Sequence, residues 1–290
     1  EMLPKLVQAL RFDVARQVLD FSRRFGPTFD LQNKPEIMSQ LMEVAAGVLL
    51  ETKRGQQAAL MQSLPQMGQA GVHLLIDLAD HRNRSVRRAA VDALLKMDQP
   101  IVPILFATLE TKQGWHYLRN MLLLLAQLNA SGPKVEKLFR KCLAHPEANV
   151  RKEALPGLAR LLKEKAAVPV AEALNDVNLD VQKRAAACLG VTGIADQAGY
   201  KQLANILAAK DCSEELAMQI VASINRLKPQ SLDCPDLESA LLGLLGTGGL
   251  FGVGGRKGSS SQTLRVAVVQ ALAFCGTGRS RKVLAKLSTV

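Results

Sequence analysis

The sequence predicts an all-α fold, a right-handed α-solenoid of stacked antiparallel helix pairs, and three observations carry that expectation. Leu and Ala recur at short intervals while aromatics make up only 4% of the chain, a composition suited to helix-on-helix packing rather than to a sheet core. The chain also resembles itself at a period of about 32 residues: Val86-Arg87, Leu118-Arg119 and Val150-Arg151 are followed by Val181-Gln182, Leu216-Ala217 and, after a longer gap, Leu264-Arg265. Such self-similarity marks repeat architectures. From each apolar anchor, further apolar residues follow at four and eight positions: Ala90 and Leu94, Leu122 and Ala126, Ala154 and Leu158, Ala185 and Leu189, Ile220 and Ile224, Val268 and Leu272. That spacing is the buried stripe of a helix.

Taken in order, residues 1–68 lack the repeat but keep helical spacing through Phe12, Val18, Leu19, Phe21 and Phe25, then Ile37, Leu41, Val44, Val48 and Leu49. They read as an N-terminal helical cap or a diverged repeat, covering the apolar end of the array. Residues 69–228 read as five helix pairs. The first helices (A) are expected at 71–79, 101–110, 133–144, 166–175 and 198–209, and the second helices (B) begin near the anchors. Ser85, Asn149, Asp180, Ser213 and Thr263 are placed to cap the B helices with side-chain oxygens, and Pro100, Pro133 and Pro229 fall at boundaries, where a missing donor costs little. Residues 229–290 read as one more pair, with its A helix at 236–245, a Gly-rich insertion at 243–261 and a final A helix at 279–287. That helix lacks a B partner, which leads us to expect that the array continues past Val290.

At this point the residues carry a resemblance. The stretch Ser85-Val86-Arg87-Arg88-Ala89-Ala90-Val91-Asp92-Ala93-Leu94, and Asn149-Val150-Arg151-Lys152-Glu153-Ala154 with it, resemble HEAT repeats of the bacterial type. The resemblance covers residues 70–228 well and 236–290 with one interruption. It implies that Arg87, Arg119 and Arg151 form a structural ladder, each reaching an acidic or carbonyl group in a neighbouring repeat's turn, with Asp80 and Asp176 as partners. A cation near a helix N-terminus meets the wrong end of the macrodipole, so such a partner is needed. The resemblance further implies that B helices line a concave groove into which the residue two after each anchor looks: Arg88, Asn120, Lys152, Lys183, Met218 and Val266.

Charge and cysteine use narrow the function. Lys and Arg number 37 against 26 Asp and Glu, a net +11, and residues 239–290 hold seven basic residues and no carboxylate. Such an excess suits nucleic acid, acidic protein or anionic lipid without choosing among them. Five dispersed Cys without a C-x-x-C motif argue against a disulfide framework or a zinc ribbon, and a reducing, cytoplasmic setting is expected. The uncharged run at residues 239–255 is shorter than a membrane-spanning helix and rich in Gly. No signal peptide is read, because no basic stretch followed by a long apolar run opens the chain.

Catalytic patterns are missing. His73, His81, His116 and His145 read as lying at different repeat positions, with no metal or triad spacing, so neither a catalytic residue nor a metal site nor a cofactor is expected. The Gly-rich insertion lacks a P-loop or dinucleotide pattern, since Lys257 is followed by Gly258. Its Leu250 and Phe251 are costly to leave in water without cover, so they and Arg256 and Lys257 are expected as accessory partner contacts. Trp115 is read as packing against its own helix start. The expectation is a non-enzymatic scaffold that binds a protein or peptide in its groove. The rival is a nucleic-acid binder using basic residues of the B helices, and a lyase or chaperone acting on a cofactor-bearing partner is also open.

Stacked repeats grow along one axis. Solution scattering is therefore expected to give a radius of gyration well above the ~19 Å of a compact chain of this length; a value near that figure would remove the solenoid reading.

Overall fold

The computed structural model describes residues 69–97, 101–111, 114–194, 197–228, 234–245, 261–275 and 277–287, and these are helical with no strand among them. The expected cap at 1–68 and the core of the Gly-rich insertion lie outside the described residues. The chain divides into two compact units, residues 1–128 and 129–290.

In the first unit, α1 (Gln69–Leu78) pairs with α2 (Arg84–Leu94), and α3 (Ile101–Thr111) precedes α4 (Trp115–Gln127). In the second, α5 (Pro133–Leu143) pairs with α6 (Ala148–Leu162). A broken A element follows: a 3-10 turn at Lys163–Ala166, α7 (Ala167–Glu172) and a second 3-10 turn at Ala173–Asn175. It leads into α8 (Leu179–Thr192). Then come α9 (Gln197–Ala208) and α10 (Glu214–Leu227), α11 (Pro235–Leu244) and α12 (Gln262–Cys275), and a last helix α13 (Gly278–Leu287). The B helices pack in chain order, α6 on α8, α8 on α10 and α10 on α12, while α9 packs on α11 in the A layer. This two-layer stacking of consecutive helix pairs is an α-solenoid.

The anchor stripes form the core. Val150, Ala154 and Leu158 of α6, Val181, Ala185 and Leu189 of α8, Leu216, Ile220 and Ile224 of α10, and Leu264, Val268 and Leu272 of α12 are all buried. In the first unit Val86, Ala90 and Leu94 are buried likewise, whereas the anchor Leu118 is half-buried. From the A side Val135, Phe139 and Cys142, then Val170 and Leu174, then Leu203 and Leu207, close the same core. Burying each large aliphatic side chain contributes on the order of 1.5–3 kcal/mol, which is what holds an array of short helices together.

Close approach is set by small residues. A Cβ on Gly157 would collide with the ring of Phe139, so glycine lets α6 lie against α5. Ser223 Oγ of α10 donates to the carbonyl of Ala186 in α8, and Gly190 of α8 faces that serine. Asn225 Nδ2 in turn donates to the carbonyl of Ala267 in α12, at 2.9 Å.

Several local expectations need correction. The cap of α2 is Asn83, whose Oδ1 accepts from Ser85 N at 2.8 Å, not Ser85 itself. Asn178 rather than Asp180 caps α8, and Ser261 rather than Thr263 accepts from Leu264 N at the start of α12. At α6, Asn149 stands inside the first turn and Glu147 occupies the cap position without a side-chain bond. Only Ser213 caps where expected, accepting from Leu216 N at 3.2 Å. The errors have one cause: each of these helices starts one residue before the expected cap, so a capping-type residue can fall inside the first turn. The A helix expected at 166–175 is broken into a 3-10 turn, a short helix with Pro169 in its first turn, where the missing N–H costs little, and a second 3-10 turn. Pro156 lies inside α6, which runs on past it.

The start of α13 receives a carboxylate from another helix. Glu238 of α11, only 4% exposed, accepts hydrogen bonds from the backbone N–H groups of Thr277 (3.1 Å) and Ser280 (3.0 Å) and from both their hydroxyls. Burial works to raise its pKa, but the bonds from Ser280 and Thr277 outweigh it and hold the carboxyl below its ordinary value. An anion suits this end of a helix. Because the folded-state pKa is depressed, this contribution is present above the ordinary carboxylate pKa and is lost as pH falls through the depressed value. Glu238→Gln is expected to cost about 1–3 kcal/mol at neutral pH and to lower hydrogen-exchange protection of α13 first. The gap to the parent chain should close in acid.

Candidate functional site

The A-to-B turns carry the most ordered polar chemistry. Five residues before their anchors, His81, His145 and Asp176 occupy one equivalent position. Each side chain accepts from the backbone N–H two residues on: His81 Nδ1 from Asn83 (3.1 Å), His145 Nδ1 from Glu147 (3.1 Å), Asp176 Oδ1 from Asn178 (2.8 Å). So His81 and His145 share a repeat position, contrary to the sequence reading, and both have a structural task. The signal was legible, since they stand two periods apart.

The residue after the anchor closes the same turn. Arg87 Nη1 donates to the carbonyls of His81 (2.8 Å) and Arg82 (2.9 Å), and Arg151 Nη1 donates to those of His145 and Pro146, both at 2.8 Å. Where the repeat carries Gln182, its Nε2 keeps the equivalent bond, to Asp176 O at 2.8 Å. This resolves the conflict with the macrodipole: the guanidinium reaches back past the helix start to carbonyls of the turn that precedes it.

The expected ladder needs three separate statements. Arg151 bonds the next turn, with Nε on Asp176 Oδ2 and Nη2 on Asp176 Oδ1, both at 2.7 Å, and the two side chains are 13% and 11% exposed. Arg87 departs from expectation, because the carbonyls it bonds belong to its own turn. Arg119 does not meet Asp80 directly either. It donates to Asn120 Oδ1 (Nη2 at 2.8 Å), and Asn120 Nδ2 donates to Asp80 Oδ1 at 2.8 Å. Asn120 is only 6% exposed. It was expected to look into the groove; instead its amide, acceptor at one end and donor at the other, joins a cation to an anion.

The rest of the outward row sits on the B helices as follows. Arg88 and Val266 are exposed, and Lys152, Lys183 and Met218 are half-buried. The lysines arrive already paired. Lys152 Nζ lies 3.5 Å from Asp180 Oδ2, while Lys183 Nζ lies 3.0 Å from Asp180 Oδ1 and 2.7 Å from Glu215 Oε2. Each inter-repeat pair joins a lysine two after one anchor to a carboxylate one before the next. The sequence contained that signal, and it was missed because Asp180 was read as a helix cap. Hydrogen bonding from Lys183 holds the Asp180 carboxyl below its ordinary pKa. Leu250, Phe251, Arg256 and Lys257 lie outside the described residues.

Other groups offer little chemistry. Burial pushes the thiols of Cys142 and Cys188 up to about 11, so neither is a thiolate at neutral pH. Among the described residues no cluster of three His, Cys, Asp or Glu could hold a metal ion, and no described helix is long and apolar enough to cross a membrane. A cleft of about 440 Å³ between α5 and the broken A element is lined by Arg140, Glu172 and Asn175 around the Arg151–Asp176 pair. Trp115, the first residue of α4, stacks on His116 with ring centroids 3.4 Å apart.

No family model matches the chain, and no curated protein matches it. Among solved structures it is similar to an engineered protein from a structural genomics consortium, at 16% identity and a TM-score of 0.45, covering 99% of this chain and 92% of that one. A designed armadillo repeat protein gives 16% identity, a TM-score of 0.40 and coverage of 93% and 98%. Human deoxyhypusine hydroxylase in complex with glycerol gives 17%, 0.35, and 94% and 99%. Likenesses this distant carry no functional argument, and the assignment as a helical-repeat protein rests on the helix pairs themselves.

The bond from Arg151 is the main cause that holds the Asp176 carboxyl below its ordinary pKa. The pair therefore stabilises the fold above roughly pH 4 and loses this contribution as pH falls through the depressed value. Arg151→Ala is expected to cost about 1–3 kcal/mol at neutral pH, with the gap narrowing in acid, as read by urea melts across pH. Arg151→Lys should recover only part, since an ammonium cannot reproduce the bidentate fork.

Proposed function

We propose that this protein is a non-enzymatic, cytoplasmic scaffold of the bacterial HEAT class that binds a protein or peptide along the face formed by its successive B helices. The observation that carries the proposal is the pre-paired row: Lys152, Asp180, Lys183 and Glu215 neutralise one another across three repeats. A phosphate would have to displace these carboxylates and remain beside them, at an electrostatic cost. A protein surface meets instead a neutral, hydrogen-bonding row that turns apolar at Met218 and Val266, the mixed character of protein interfaces. The Arg151–Asp176 rung supports the HEAT class. Arg88, together with Leu250, Phe251, Arg256 and Lys257 of the Gly-rich insertion, are proposed accessory contacts.

A second reading, nucleic-acid binding, draws on a different surface. On α5, Lys134, Lys137 and Lys141 are exposed at i, i+3 and i+7, a basic stripe on an A helix rather than in the groove.

Two titrations separate the readings. Peptides selected from a random display library on the intact chain are expected to keep their affinity from low to physiological salt, and to lose about tenfold when Lys152, Lys183 and Met218 are changed together to Ala, with melting unchanged. Duplex and single-stranded DNA and RNA are expected to bind weakly, with affinity falling by about one power of salt concentration per phosphate contact. Submicromolar nucleic-acid binding at physiological salt, abolished by Lys134→Glu, Lys137→Glu and Lys141→Glu together, would put the second reading first.

A further inference from the structure

The A layer stands open beside its broken element. α9 packs directly on α11, whereas between α5 and the broken A element lies the cleft of about 440 Å³, a volume typical of ligand sites. Two sets of bonds keep it from closing. Gln202 Nε2 of α9 donates to the carbonyl of Ala171 at 3.0 Å, which ties the broken element to the next repeat. The floor, made by Arg151, Asp176 and buried Val181, is fixed by the bonds of Arg151 to Asp176 and to the carbonyls of His145 and Pro146.

The cations that line this cleft are already neutralised. Arg140 Nε lies 2.7 Å from Glu136 Oε1 on its own helix, and Arg151 is paired with Asp176. Exposed Glu172 also lines the cleft and forms no ion pair among the described residues, and exposed Asn175 adds an amide oxygen beside it. The lysine stripe of α5 lies about a quarter of a turn round the helix from the lining residues Arg140, Leu143 and Ala144. The walls are apolar, Leu143 and Ala144 on one side and Pro169 and Ala173 on the other. Such a shaft with one unspent carboxylate suits an aliphatic stem that ends in a cation. From Asp176 the chain runs on into Val177, 98% exposed, and Pro146 is exposed at the equivalent position of the preceding turn.

We propose that this cleft binds an arginine side chain of a partner peptide. The guanidinium forks onto the Glu172 carboxylate and gives a further N–H to Asn175 Oδ1, while its stem lies between Leu143 and Pro169. Apolar residues next to that arginine in the peptide rest on Pro146 and Val177. Arginine fits better than lysine, because its planar fork matches a carboxylate and it is more weakly hydrated than an ammonium. An acidic side chain would meet Glu172 with no cation left to balance it. The site is built from A elements and A-to-B turns, so the inference does not rest on the groove reading above.

The test titrates the isotope-labelled intact chain, followed by NMR, with acetyl-Gly-Val-Arg-Val-Gly-amide and with the same peptide carrying Lys, norleucine or Glu in place of Arg. The arginine peptide is expected to shift the amides of Leu143, Ala144, Ala173 and Asn175. It should bind about tenfold more tightly than the norleucine peptide, with the lysine peptide between them. Glu172→Gln should remove that advantage and leave melting unchanged, because the side chain is exposed; if that variant melts early, Asn175→Ala takes its place and should weaken binding in the same direction. The combined Lys152, Lys183 and Met218 variant should bind the arginine peptide as the parent does, so loss of the groove reading and loss of this one are told apart. Equal affinity for the arginine and norleucine peptides, shifts confined to other parts of the chain, or no binding at millimolar concentration overturns the proposal. So does preference for the glutamate peptide that Arg140→Ala abolishes, which would assign the cleft to an anion. Ethylguanidinium binding as tightly as the arginine peptide would assign it to a free small cation and overturn the peptide as occupant.

Discussion

A pair of short antiparallel helices has more apolar surface than the two can hide from water between themselves, and this shortage governs the rest of the structure. α8 hides its stripe only because α6 lies on one side and α10 on the other, so burial in one repeat depends on the next. Everything that lets neighbours come close then matters. Gly157 makes room for Phe139, and Ser223 both fits beside Gly190 and supplies a hydrogen bond to the adjacent helix. Leucine and alanine suffice for the stripes, which is why so few aromatics are needed.

Stacking fixes the spacing of the turns, and the polar chemistry follows from it. Each turn must satisfy its own backbone groups where two helices reverse, and the same position does so with His81, His145 or Asp176. Arg151 adds a bond between repeats because the neighbouring turn carries an anion there. Stability and register come from one side chain. Arg87 and Arg151 both close their own turns, and Arg151 also reaches the carboxylate of the next one.

The face of the B helices is organised differently. Its lysines and carboxylates alternate between repeats and spend their charge on one another, whereas unbalanced cations remain on α5 and around α12. A net charge of +11 therefore says little about the groove. Beyond the paired row the same face carries Met218 and Val266, which are apolar.

Periodicity alone determined the helix pairs, the anchors and the buried stripes, because a 3.6-residue repeat of apolar side chains has one good solution and local spacing encodes it. Most helix boundaries were legible within a residue or two; the caps were not, since Ser85 and Asn83 are equally able to cap and only the true start of α2 chooses. Partnerships between repeats depended on tertiary structure. Asn120 reads as an outward polar residue until Asp80 and Arg119 are found on either side of it. Glu238 is one of two acids in the first turn of α11, and only the N-terminus of α13 singles it out. In both, a polar side chain is buried by groups about 40 residues away in sequence, and no local pattern records which distant donor will meet it.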